Sequence, residues 1–256
     1  MTIQRPEAEL SANPQAHISI DIHAADYPGD VEARIRIDDY IQGELRYDQL
    51  LPAEAEFVRY AHEQAVRQRT LQAIAQFTHE VPPRYHNVSV TDADVVEWAQ
   101  QVAKDPRNTR SQLILGATGT GKTHRAYSTI QAVIVAVMST GARRAPRWKA
   151  TTEADLYAAL RPSAGGDSEA KYREYASTPL LLLDDLGASK DTEWTEEILY
   201  RLINHRYEQC LPTIFTSNVP GDVLRERLGE RVSSRLAEMS TRITLKGNDR
   251  RRQKPR

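Results

Sequence analysis

The stretch "LILGATGTGKTHRAY", Leu113 to Tyr127, sets three glycines and a lysine between an apolar run and a helix-forming segment. Gly116, Ala117, Thr118, Gly119, Thr120, Gly121, Lys122 and Thr123 match the spacing G-x-x-x-x-G-K-[ST], with His124 next. Each part has a physical reason. Glycines let the backbone curl until several N–H groups point at one phosphate chain. A helix starting near Lys122 adds the positive end of its dipole. Lys122 reaches β and γ phosphates as a point charge, and the Thr123 hydroxyl is placed to ligate Mg²⁺. The context supports the reading: an apolar strand precedes the loop, and "KTHRAYSTIQAVIVAVMSTG" continues as a helix. The predicted ligand is a polyphosphate chain with Mg²⁺.

Working outward, short apolar runs alternate with helical segments. The runs are "QLIL", "RWKAT", "LLLLDDL", "TIFTSN" and "RITLK"; helices are predicted near 122–140, 152–160, 192–210 and 221–238. Such alternation indicates a parallel α/β sheet, here of five strands. Leu180 to Leu183 lack polar alternation and read as a central strand buried on both faces. "RPSAGGDSEAKYREYA" reads as a loop by composition, mobile around Gly165 and Gly166. Before the sheet, Thr91 and Asp94 resemble a capping box, and Val95, Trp98 and Val102 share a helical face.

The buried strand ends in two carboxylates. Ligands of such sheets sit at the C-terminal ends of the strands. Asp184 is then expected to face the metal and Asp185 the attacking water. The next strand ends in Thr216, Ser217 and Asn218; a polar group there can hold that water, Asn218 foremost, or Asn218 simply caps the turn. In "RERLGERVSSRLAEMS", Arg231 and Arg235 lie four apart, hence on one helical face. They are either fingers for a neighbouring subunit's ATP or an exposed basic surface.

The rest of the chain is less marked. Residues 1–60 carry twelve Asp/Glu against five Arg, and residues 242–256 carry seven Lys/Arg against Asp249 alone. An acidic front suits a protein partner and a basic tail a polyanion. Ile18, Ile20 and Ile22 alternate like a short strand, and a helix is predicted from Pro52 to about His79, with Phe57, Ala61, Ala65, Leu71, Ile74 and Phe77 as its apolar stripe. "VPPRY" stops it. The single cysteine, Cys210, excludes an intrachain disulfide and is expected to be a small buried residue. No apolar run approaches a membrane span and the N-terminus lacks a signal-peptide form, so a cytoplasmic location is expected.

The residues "VPPRYHNVSV", "LILGATGTGKTHRAY", "LLLLDDLGASKDTEWTEEILYRLINHRYEQCLPTIFTSNVP" and "LGERVSSRLAEMS" together resemble AAA+ ATPases of the bacterial replicative-helicase loader class, the DnaC type, with IstB-type transposition helpers as near relatives. The likeness runs over about 81–247. It implies an ATP-hydrolysing AAA+ domain there, a small, mostly helical partner-binding domain over 1–80, and a basic tail over 248–256. It further implies self-association, single-stranded DNA binding and delivery of a hexameric replicative helicase during replication. Arg235 resembles the family's trans-acting finger, with Arg231 its neighbour. The family contacts single-stranded DNA near Ala145 to Tyr175, where Arg143, Arg144, Arg147 and Lys149 can bind phosphates and Trp148 or Tyr157 can stack on bases. Other readings stay open: a transposase or other DNA-remodelling client, a small-molecule kinase, or a nucleotide-gated DNA switch.

Overall fold

The computed structural model describes residues 22–161, 167–189 and 192–247. The chain forms two compact units, Met1–Ala75 with Met138–Arg144, and Gln76–Val137 with Ala145–Arg256.

In the first unit, helix α1 (Val31–Gln42) is set by its ends. Asp30 accepts from the Ala33 N–H at 2.8 Å, and Gly43 closes it in the left-handed region. Ile37 and Tyr40 are buried with Ile22, Leu50 and Val58 in a small core, and Tyr27 meets Phe57 edge-on at 5.1 Å. Sequence periodicity did not reveal α1. Helix α2 (Pro52–Glu80) opens on Pro52 and stops before the Pro82–Pro83 pair, as predicted. Leu71, assigned to its apolar stripe, is instead exposed. Ile18 and Ile20 of the expected strand lie outside the described residues, as do Gly165, Gly166 and the tail from 248.

The second unit is a five-stranded, all-parallel sheet in the order β2-β3-β4-β1-β5. Its strands are β1 (Ser111–Leu115), β2 (Trp148–Thr152), β3 (Leu180–Asp184), β4 (Thr213–Ser217) and β5 (Ser240–Thr244). The helices are α3 (Ala93–Lys104), α4 (Lys122–Ser139), α5 (Glu153–Leu160), α6 (Ser168–Ser177), α7 (Glu193–Glu208) and α8 (Gly221–Met239). Every residue of β3 and β4 is buried, as expected for central strands covered on both faces. On one face Leu181, Leu183 and Phe215 pack with Leu156, Leu199, Leu202 and Leu236 from the helices. Alternation turns Ile114, Leu182 and Ile214 to the opposite face, which the buried Ala126, Ile130, Val133 and Ile134 of α4 serve.

Three local expectations fail. Residues 168–177 form α6 rather than a loop, because Asp167 caps its first turn and Tyr172 and Ala176 are buried. The helix end is also held from outside: the fully buried Arg206 of α7 donates to the carbonyls of Tyr175, Ala176, Thr178 and Pro212 and to the Thr213 hydroxyl, all within 2.7–3.1 Å. Burial pulls its pKa down to about 9, which leaves it charged at neutral pH. The predicted capping box at α3 is absent: Asp92 stands at the cap without a side-chain bond to the helix backbone, and Asp92 and Asp94 pair with Arg125 instead. Cys210 is exposed, at φ 50° just beyond α7. Among the described residues, no helix is long and apolar enough to cross a membrane.

Candidate nucleotide site

The sheet order decides where chemistry collects. β4 lies between β3 and β1, so the loop after β1, the acidic end of β3 and the polar end of β4 leave the sheet side by side. This is the switch point at which parallel sheets bind ligands.

The loop from Gly116 to Gly121 curls as its glycines predict. Gly119 and Gly121 sit at φ 83° and 98°, conformations costly for other residues. A Cβ on Gly116 would come within 2.7 Å of the Leu245 carbonyl and 2.9 Å of the Thr120 hydroxyl. Ala117 and Thr118 are exposed at the tip, while the Thr120 hydroxyl donates back to Ala117 O at 2.8 Å. Lys122 is buried and folds over the loop, its Nζ donating to Gly116 O at 2.9 Å and Ala117 O at 3.1 Å. These carbonyls hold the ammonium beside the curled backbone where the motif places a phosphate chain. His124 is exposed on the first turn of α4.

The Thr123 hydroxyl donates to the Asp184 carboxylate at 3.0–3.1 Å. Thr216 donates to the same carboxylate at 2.5 Å, and its hydroxyl accepts the Asp185 N–H at 3.0 Å. Burial pushes the Asp184 carboxyl above its ordinary pKa, and neighbouring Asp185 adds to the rise; the Thr216 and Thr123 hydroxyls and Lys122 pull the other way. A buried carboxylate beside a hydroxyl is an all-oxygen donor pair suited to a hard divalent cation that keeps water and phosphate as its other ligands. Asp185 is partly buried, at φ 57°, and its carboxylate forms no hydrogen bond among the described residues. Four residues along α4 from Thr123, Tyr127 stacks on Tyr85 at 4.8 Å; burial, with Asp184 nearby, pushes its phenol up to about 12.

A family model described as "IstB-like ATP binding protein" matches residues 84–256, more than half of the chain. The chain belongs to this family. Its sheet and helices are the AAA+ fold: the crystal structure of the DnaC helicase loader superposes with a TM-score of 0.52 at 23% identity, over 64% of this chain and all of that one. Among relatives, the replicative helicase loader DnaI of Bacillus subtilis is 36% identical over 81 residues, 29% of this chain and 26% of its own. The replicative helicase loader DnaC of Escherichia coli K12 is 24% identical over 140 residues, 54% of each chain. The chain thus spans about a quarter and about half of these relatives' lengths. It is an ATP-binding family member with the AAA+ fold.

The remaining candidates of this IstB-like chain make no hydrogen bond to the acidic pair among the described residues. Asn218 is exposed beyond the end of β4, and it is Thr216 that touches Asp184. Arg231 is exposed. Arg235 is half-buried against α7: it donates to Asn204 Oδ1 at 2.6 Å and lies over the Tyr200 ring at 5.0 Å. Neither arginine bonds the phosphate loop of its own chain.

The aromatic candidates for base stacking are engaged. Tyr157 is buried with its hydroxyl on Glu153, and Trp148 packs against Phe77 at 5.5 Å and Tyr127 at 6.4 Å. Lys149 pairs with Glu174, while Arg143, Arg144 and Arg147 are exposed. The sequence reading missed Glu153, which looks like an ordinary acidic first-turn residue of a helix. Nothing local to Glu153 marks the distant backbone it binds.

Proposed function

We propose that the chain is an ATP-hydrolysing helicase loader. The carrying observation is the bond from Thr123 of the phosphate loop to Asp184 of β3, which joins the two motifs at the end of the sheet. In this reading Lys122 leaves the Gly116 and Ala117 carbonyls for the β and γ phosphates, and the N–H groups of the loop bind the rest of the chain. Thr123 and Asp184 would hold Mg²⁺, which supplies charge neutralisation to the phosphates. Asp185, its carboxylate uncommitted, orients and polarises the attacking water, with Asn218 as a second polar group at the neighbouring strand end. Arg235, helped by Arg231, acts on a neighbouring subunit's ATP; it must first leave the Tyr200 and Asn204 cradle.

The relatives' names support a replicative helicase as the client, gripped by residues 1–80, with single-stranded DNA bound by the assembled 81–247 domain. Arg143, Arg144 and Arg147 are exposed candidates for DNA phosphates, and the basic tail over 248–256 is a further candidate. The IstB-like family match favours one other client, a transposase. Lys122→Ala is expected to abolish ATP binding, whereas Asp185→Asn spares binding and stops turnover. Normal hydrolysis by both variants rejects the site. Co-purification in ATP with a replicative helicase, run beside a transposase, decides the client.

A further inference from the structure

The turn that carries Asp185 is anchored at both ends. At its near end the Asp185 N–H meets the Thr216 hydroxyl and the Leu186 N–H meets Thr216 O at 2.8 Å. At its far end the N–H groups of Gly187, Ala188 and Ser189 all converge on one oxygen, Glu153 Oε2, each at 3.1 Å. Glu153 is 3% exposed, and its other oxygen accepts from the Tyr157 hydroxyl at 3.1 Å. A carboxylate that collects three successive N–H groups makes strong, charge-assisted bonds.

The sheet explains how Glu153 gets there. β2 and β3 are parallel, with Thr152 beside Asp184. The two chains therefore leave the sheet at the same level, and the first residue of α5 meets the turn after the acidic pair. That turn is tight: Ala188 N–H returns to Asp185 O at 3.2 Å, and Gly187 stands at φ 79°, where an added Cβ would meet Leu224 Cδ1 at 2.6 Å.

We propose that Glu153 is a positioning residue for hydrolysis, holding the 187–189 backbone so that Asp185 keeps its strained orientation. The inference rests on the hydrolytic role assigned to Asp185 above. Asp184 is held by the β3 ladder, Thr123 and Thr216, none of which Glu153 touches. Loss of Glu153 therefore loosens the water-facing carboxylate and leaves the nucleotide grip intact.

The experiment measures ATP turnover and fluorescent-nucleotide affinity in the full chain, with Asp185→Asn as reference. Glu153→Ala is expected to lower kcat about tenfold or more, since small misplacements of catalytic groups cost that much. Nucleotide Kd should stay within about twofold. Glu153→Gln, whose amide oxygen still accepts N–H groups, should recover most of the rate. Amides 187–189 should exchange faster in Glu153→Ala.

Wild-type turnover in Glu153→Ala, while Asp185→Asn is inactive, overturns the proposal. So does a Kd that weakens in step with kcat, which marks a merely structural residue. If Asp185→Asn still turns over, the hydrolytic reading fails by itself; unchanged exchange at 187–189 would then sink the anchor as well. Should Glu153→Ala not fold, Glu153→Asp, one methylene short, must show the kcat loss that Glu153→Gln does not.

Discussion

Replacing Thr216 by valine keeps the shape of a fully buried β4 side chain and deletes one hydroxyl. That hydroxyl works twice, donating to Asp184 at 2.5 Å and accepting the Asp185 N–H at 3.0 Å. The bond to an ionised carboxylate contributes about 1.5–3 kcal/mol, and an orphaned buried N–H costs about 1–3 kcal/mol. Asp184 keeps Thr123 as a partner and can take up a proton, so the lower ends apply. The sum is about 2.5 kcal/mol. For a chain of this size each kcal/mol moves the midpoint by about 2–4 °C, so Thr216→Val should melt about 5–10 °C below wild type. The same hydroxyl orients the Asp184 carboxylate and fixes the Asp185 backbone, and loss of such a supporting bond lowers metal affinity or activity by about 10–100-fold. Thr216→Ser, which keeps the hydroxyl, should retain turnover. The assay is thermal melting without nucleotide, followed by Mg²⁺-dependent hydrolysis. A Thr216→Val protein that melts with wild type and hydrolyses ATP normally refutes the argument.

Asp184 gives a pH prediction. Its carboxyl lies above the ordinary value of 3.8 in the folded chain, so the folded state holds the proton more tightly than the unfolded state. Between 3.8 and the raised value, nucleotide-free stability should therefore fall as pH rises, and Asp184→Asn should flatten that dependence while raising neutral-pH stability. Denaturant titrations across acid pH check both. Arg206→Ala leaves the carbonyls of Tyr175, Ala176 and Thr178 unmet in the interior; with about 1–3 kcal/mol for each, the loss rivals the whole stability of a domain, and soluble expression should collapse. Arg235→Ala should lower turnover at unchanged nucleotide affinity, and mixing it with a Lys122 variant should restore activity if the arginine serves a neighbouring subunit. Loss of nucleotide binding by Arg235→Ala alone would refute that role.

Much of the second unit was legible because its signals are local. An apolar run before G-x-x-x-x-G-K-[ST], and four leucines ending in two aspartates, state strand, turn and helix within a few residues. The elements misread were those whose stability comes from elsewhere. Helix α6 looks like a polar loop, yet it is capped by Asp167 at one end and held by Arg206 of α7 at the other. Helix α1 has too few apolar positions for a periodic signal and is secured by Ile37 and Tyr40 in a small separate core. Trp148 and Tyr157, offered as base-stacking groups, are taken by their own fold.

By itself the sequence determined the phosphate loop, the acidic pair, the parallel α/β class and the family likeness. Each depends on residue type at short spacing, where backbone stereochemistry leaves few choices. Tertiary structure alone decided that Thr216 rather than Asn218 meets Asp184, that Glu153 binds the turn after Asp185, and that Arg235 rests on α7. Those contacts join residues about thirty positions apart. The first two exist because β2, β3 and β4 lie side by side and leave the sheet together, the third because α7 and α8 pack against each other, and neither arrangement is written into any one segment of the chain.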